Sequence, residues 1–172
     1  MDFDSNNKPI LTSDRENNFN RSFTIRKPKG YIIMDTYNNP FFPLDTFKVD
    51  NSDFNLPRIK KDFHYMYGGK PNDLFLPWHY TMDVVNQTPY IINTRPLTYK
   101  NIIPNYEEHI SIMIIGDSNQ DIYTMEYYKA IANIIINPLR YISSLNLLNQ
   151  RKDFEFKTGK NFDKNSLFKW II

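Results

Sequence analysis

The chain has no cysteine, which excludes disulfides, thiolate metal ligands and a cysteine nucleophile. It also lacks an excess of charge of one sign. Its 21 basic and 19 acidic residues leave a formal net charge of +2, no strong electrostatic footprint for nucleic acid. The basic run Arg26-Lys27-Pro28-Lys29 is short and interrupted. Every apolar stretch is too short to span a bilayer. The opening Met1-Asp2-Phe3-Asp4-Ser5-Asn6-Asn7 has neither a charged n-region nor an apolar h-region, so no secretory signal is expected. Glycines number five, and Gly68-Gly69-Lys70 lacks the remaining positions of a phosphate-binding loop and reads as a turn.

What is present is Asn, Ile, Tyr, Phe and Lys, a bias that reflects an AT-rich genome and carries no functional signal. A length of 172 residues fits one domain with an appended arm. Residues 1–29 are polar, with isolated apolar residues at Phe3, Ile10, Leu11, Phe19, Phe23 and Ile25. Such an extended N-terminal arm cannot bury enough surface to fold alone and needs its own domain or a neighbouring subunit to lie against. Residues 30–172 are expected to form the folded domain.

That domain is organised around Ile110–Ile115, a continuous apolar run ending at Gly116-Asp117. An unbroken run predicts a strand buried on both faces, because a half-exposed strand would alternate. Asp121 and Thr124 are candidate caps for a helix carrying Tyr123, Tyr127, Tyr128, Ile131, Ile134 and Ile135. Asn137-Pro138 should end or kink it, and Leu139, Ile142, Leu145 and Leu148 predict a second helix opening on Pro138. Upstream, Gly30–Thr36 reads as a strand. Residues 78–85 and 89–93 read as a hairpin turning at Asn86-Gln87-Thr88. Pro40 to Pro77 reads as an aromatic-rich loop. The fold class is therefore α/β: a central mixed sheet of about four to six strands flanked by helices.

In order, these pieces resemble the zinc N-acetylmuramoyl-L-alanine amidases, the family of phage endolysins and peptidoglycan-recognition proteins. The residues carrying the resemblance are Ile32-Ile33-Met34-Asp35-Thr36, Trp78–Asp83 with Tyr90-Ile91-Ile92, and Leu97–Asn101. Further along come Asn105–Asp117, Tyr123–Tyr127, Arg151–Phe154 and Lys157–Phe162. The resemblance implies a site of two histidines and a Cys or Asp on zinc, with water in the fourth position. Here the first ligand position holds Met34, the second Tyr99 or Lys100, and the third is missing beside Lys157. His79 matches a strand position next to the cleft, and Trp78 stands where catalytic members often carry Tyr. The residual cleft candidates are Met34, Asp35, Trp78, His79, Tyr99, Lys100 and Lys157. Met is a soft, neutral ligand poorly suited to Zn²⁺, and Lys would first have to lose a proton. The implied protein is a pseudoenzyme without a cofactor, since zinc is expected only where the amidase site is intact.

Other constellations are weaker. His64, His79 and His109, with Asp62, Asp83, Glu107 and Glu108 near them in sequence, form an alternative metal set, although lone histidines in loops and at strand ends are usually structural. Glu107-Glu108 reads as a solvated surface, and Ser111 lacks a nucleophile elbow. Phe41, Phe42, Tyr65, Tyr67 and Trp78 are candidates for an aromatic contact surface. The resulting expectation is an inactive amidase-like domain kept as a structural or binding component of a bacteriophage virion, engaging other subunits through its arm. Its alternatives are an active cell-wall amidase with rearranged ligands and a non-cleaving peptidoglycan-binding module. A cytoplasmic location is the alternative to the virion.

Overall fold

The computed structural model describes residues 27–42, 44, 47–67, 75–142, 145, 147 and 149–172, with the side chains of 64–67 left out. Five strands form one sheet in the order β3-β2-β4-β1-β5. They are β1 (Tyr31–Asp35), β2 (Tyr80–Val85), β3 (Thr88–Asn93), β4 (Ile110–Ile114) and β5 (Phe154–Lys157). β2, β4, β1 and β5 run parallel, and β3 is antiparallel to β2. The sheet is thus mixed and flanked by helices, an α/β architecture. Every residue of β1 and β4 is buried, as their unbroken apolar runs require. The hairpin between β2 and β3 turns on Asn86 and Gln87, both at positive φ (49° and 67°), the geometry of a tight turn whose twist matches its strands.

Each face of the sheet packs its own apolar cluster. On one face Tyr31, Ile33, Ile112, Ile114 and Met82 meet a helical segment through Tyr128, Ile131, Ile135 and Leu139. On the other, Ile32, Met34 and Met113 meet Ile59, Phe63, Trp78 and Ile103. This second face is covered by α1 (Leu56–Tyr67), which lies inside the stretch read as loop. The correction has a physical basis. Leu56, Ile59 and Phe63 recur at helical spacing and are buried. The first turn is held from a distant strand: the Asp83 carboxylate accepts the backbone N–H of Asn55 at 2.6 Å and of Leu56 at 2.9 Å.

The second correction concerns Asn137-Pro138, which does not end the helix. The segment runs from α2 (Met125–Ala130) through a π-helical stretch (Ile131–Ile136) into α3 (Asn137–Arg140). Asn137 stays helical before the proline, at φ −63° and ψ −43°. Proline removes a donor and crowds the carbonyl four residues back. The wider π turn, in which the Asn137 N–H reaches Ala132 O, re-routes the hydrogen bonds just there. Asn137 is also fixed from outside, since its amide donates to Trp170 O at 2.8 Å and accepts from Ile172 N–H at 2.9 Å. The second helix does carry Pro138 in its first turn, but it continues directly from the π-helical stretch and stops at Arg140, short of Ile142 and Leu145. Leu148 lies outside the described residues.

Thr124 occupies the N-cap position of α2 without a side-chain cap bond, and Asp121 accepts instead from Asp117 N–H at 2.8 Å. The C-terminal segment, read only as motif and amphipathic tail, supplies the edge strand β5 and α4 (Lys164–Phe168), capped by Asp163. Arm residues 1–26 lie outside the described residues.

Candidate functional site

Strand register places the candidate residues in rows across the sheet. Thr81, Met113, Met34 and Lys157 align side by side on β2, β4, β1 and β5. The row two residues earlier contains Ser111, Ile32 and Glu155, with His79 beside Ser111 just ahead of β2. Both rows face α1, because side chains two apart on a strand share a face. Met34 and Lys157 are therefore brought together, as the resemblance requires of the first and third ligand positions.

Their surroundings are not those of an open metal centre. Met34 is fully buried in the cluster of Leu44, Phe63, Trp78, Ile103 and Met113. Phe42 leans on Trp78 at 5.4 Å between ring centres, and Phe63 meets both rings at 5.9 and 6.0 Å. Trp78 is also fully buried and donates its indole N–H to Thr81 Oγ1 at 2.7 Å. Lys157 is half-buried at the sheet edge.

His79 is a fully buried, hydrogen-bonded polar side chain on this face. Its Nδ1 accepts the backbone N–H of Ser111 at 3.1 Å, so Nε2 carries the proton and donates to Tyr99 O at 2.7 Å. Ser111 Oγ accepts the His79 backbone N–H at 2.9 Å. Burial, reinforced by the nearby Arg95 cation, lowers the His79 pKa to about 4 and keeps the ring neutral near pH 7. The Ser111–His79 contact is thus a pair joining two strands, sealed from solvent.

Tyr99 and Lys100 belong to the loop that His79 and Arg95 hold down. Arg95, almost fully buried, donates from Nε to Lys100 O at 2.6 Å, and its guanidinium lies 5.8 Å over the Tyr99 ring. Burial lowers its pKa to about 10. Lys100 itself faces Glu108 at 3.7 Å. Asn101 donates to Tyr106 O and His109 O, both at 2.7 Å, closing the loop onto the start of β4. Arg95 and Asn101 were not singled out as site residues from sequence, and Asp83 entered only as an acid near the alternative histidine set. Their partners are mostly backbone groups and carry no side-chain signature.

Asp35 takes a different place. Alternation turns it away from Met34, and it ends β1 in a saturated polar knot. Its carboxylate accepts Tyr37 N–H at 3.0 Å, Asn38 N–H at 2.6 Å, Ser118 N–H at 3.1 Å and the Ser118 hydroxyl. Ser118 Oγ in turn accepts Gly159 N–H, tying the ends of β1, β4 and β5 together.

His109 sits four residues before Met113 on β4, roughly 13 Å along the strand from the Met34 row. Its ring packs edge-on against Tyr106 at 5.1 Å. Among the described residues, no group of three His, Asp or Glu side chains converges on a point. The side chain of His64 lies outside the described residues, as do those of Tyr65 and Tyr67. Phe41 and Phe42 are half-buried, Phe41 against Tyr106 and Phe42 against Trp78.

Zinc is the metal the resemblance implies, and the residues at the matched positions do not fit it. They offer a buried thioether, a lysine amine, and a loop whose Tyr99 carbonyl is already engaged by His79.

No family model matches the chain, and no curated protein matches it. Among solved structures it is similar to a selenomethionine derivative of AmpD, at 13% identity and a TM-score of 0.49, over 86% of this chain and 87% of that one. No helix among the described residues is long and apolar enough to cross a membrane.

Proposed function

We propose that this chain is an amidase-like domain without catalysis, kept as a structural or binding component of a larger assembly, with a bacteriophage particle as its setting. The observation that carries this reading is Met34: it stands at the first ligand position of the family pattern and is fully buried among Phe63, Trp78, Ile103 and Met113. A metal-bound water needs an open coordination position, and a packed apolar cluster gives it no polar surroundings. Lys157 beside it and His79 above it supply no replacement set, since His79 has both ring nitrogens committed.

In this reading the arm, residues 1–29, makes the contacts with neighbouring subunits. The test combines two measurements on the full chain. Metal analysis of purified protein is expected to give no stoichiometric zinc, and a peptidoglycan turbidity assay no lysis. Stoichiometric zinc with chelator-sensitive lysis would establish the alternative, an active amidase with rearranged ligands. Retention of the protein on insoluble cell wall without lysis would favour the non-cleaving peptidoglycan-binding module.

A further inference from the structure

The near-neutral net charge conceals an uneven distribution. The last 22 residues, from Arg151 to Ile172, carry six of the 21 basic residues and three of the 19 acidic ones. That segment is net +3, while the 150 residues before it come to −1.

The fold gathers four of these cations on one ledge made by the 3₁₀ turn Arg151–Asp153, the edge strand β5 and α4. Arg151 donates to Asn165 Oδ1 at 2.9 Å, and its guanidinium lies 4.5 Å from the centre of the Phe168 ring. The Lys164 ammonium lies 5.0 Å over Phe156, and the Phe156 and Phe168 rings meet edge to face at 6.0 Å. Lys169 follows Asn165 by one helical turn, and Lys152 adjoins Arg151. All four cations are exposed, and none forms an ion pair among the described residues.

The neighbouring carboxylates are occupied. Asp163 accepts from Asn165 N–H, Ser166 N–H and the Ser166 hydroxyl, although Lys169 also feels its charge. Asp153 accepts Gln150 N–H at 3.0 Å. Glu155 projects from the opposite face of β5, where its charge acts on His109. Four cations against Asp153 and Asp163 leave the ledge a positive excess, and two of the cations are already ordered by aromatic rings.

We propose that this ledge binds the phosphate groups of a phosphodiester chain. Recognition is by charge and by the planar fork of Arg151, because an ordered guanidinium matches phosphate oxygens in pairs. Base stacking plays no part, since Arg151 and Lys164 already cover a face of Phe168 and Phe156. The proposal is independent of the amidase-like reading.

The test is fluorescence anisotropy of the full chain with a labelled, short, mixed-sequence single-stranded DNA, and in a parallel arm with labelled inorganic polyphosphate. With about three to four phosphate contacts, affinity for the DNA should fall roughly 20- to 50-fold between about 50 and about 200 mM salt. Lys152→Glu with Lys169→Glu, both exposed and without a side-chain hydrogen bond among the described residues, should weaken binding tenfold or more with an unchanged circular dichroism spectrum. Lys48→Glu with Lys61→Glu makes the same charge change on the α1 side of the sheet and should leave it nearly intact. Binding of both probes supports recognition of phosphate charge alone, and binding of the DNA only supports a nucleic-acid source. Binding of polyphosphate only overturns recognition of a phosphodiester chain. No binding at low salt, or equal losses in the two double variants, overturns the proposal.

Discussion

His79 shows how far a residue's role depends on neighbours that its own sequence context does not name. Trp78-His79 reads as part of a strand beside a lost cleft. The structure makes it a clamp between Ser111 on β4 and the Tyr99 carbonyl, with Nδ1 accepting and Nε2 donating. Protonating it would set Nδ1–H against the Ser111 N–H, leaving the Ser111 hydroxyl at 3.1 Å as its acceptor. Burial lowers its pKa from the ordinary 6.5 to about 4. Because the unfolded chain binds the proton more readily, this residue's contribution is fully present above about pH 6.5 and is lost as the pH falls toward 4. The loss amounts to roughly 3 kcal/mol from this residue. Denaturant unfolding at pH 7, 5.5 and 4 should show that decline, and His79→Gln should flatten it while lowering stability at pH 7. An equally steep decline in the variant would assign the acid sensitivity to other groups. Met34, matched to the first ligand position and taken as a residual cleft candidate, is instead buried completely.

At the scale of elements, legibility followed the range of the interactions that stabilise each one. β4 needed only its own unbroken apolar run, and the hairpin only its two short runs and polar turn. α1 was missed although Leu56, Ile59 and Phe63 carry helical spacing, because prolines surround it and its cap comes from Asp83, 27 residues beyond Leu56. The end of the α2–α3 segment was misplaced for the same reason: Asn137 is held helical by Trp170 and Ile172. β5 is four residues long and pairs with a strand near the other end of the chain. These differences give a paired prediction. Asp83→Ala strips an acceptor from three buried donors, Asn55 N–H, Leu56 N–H and the Asn55 amide at 3.1 Å. It should cost about 3–5 kcal/mol, since unsatisfied buried groups forfeit their full desolvation cost. Thr124→Ala, at an N-cap with no side-chain bond, should cost less than about 0.5 kcal/mol. Equal losses in urea titrations of the two variants would show that Asp83 is not the cap that matters.

For the whole molecule, the question is what holds the sheet together where the family pattern would place a metal. The structure offers three answers: an apolar cluster on each face, and the knot of Asp35, Ser118 and Gly159 joining the ends of the parallel strands. None of these uses a cation. The site was legible to the extent that its ligand positions could be matched along the chain. What fills them was not, because Phe63 and Ile103 reach Met34's cluster from a helix and a loop far away in sequence. If stability rests on these clusters, a chelator should leave the thermal midpoint of the full chain unchanged to within about 1 °C. A resident metal present at a hundred times its Kd would contribute about 2.7 kcal/mol. For a chain of this size its removal would lower the midpoint by roughly 5–10 °C. Differential scanning calorimetry with and without EDTA separates the two outcomes. A drop of that size, restored by added zinc, would mean that a metal centre has been rebuilt from residues other than Met34, Tyr99, Lys100 and Lys157, and that the non-catalytic reading fails with it.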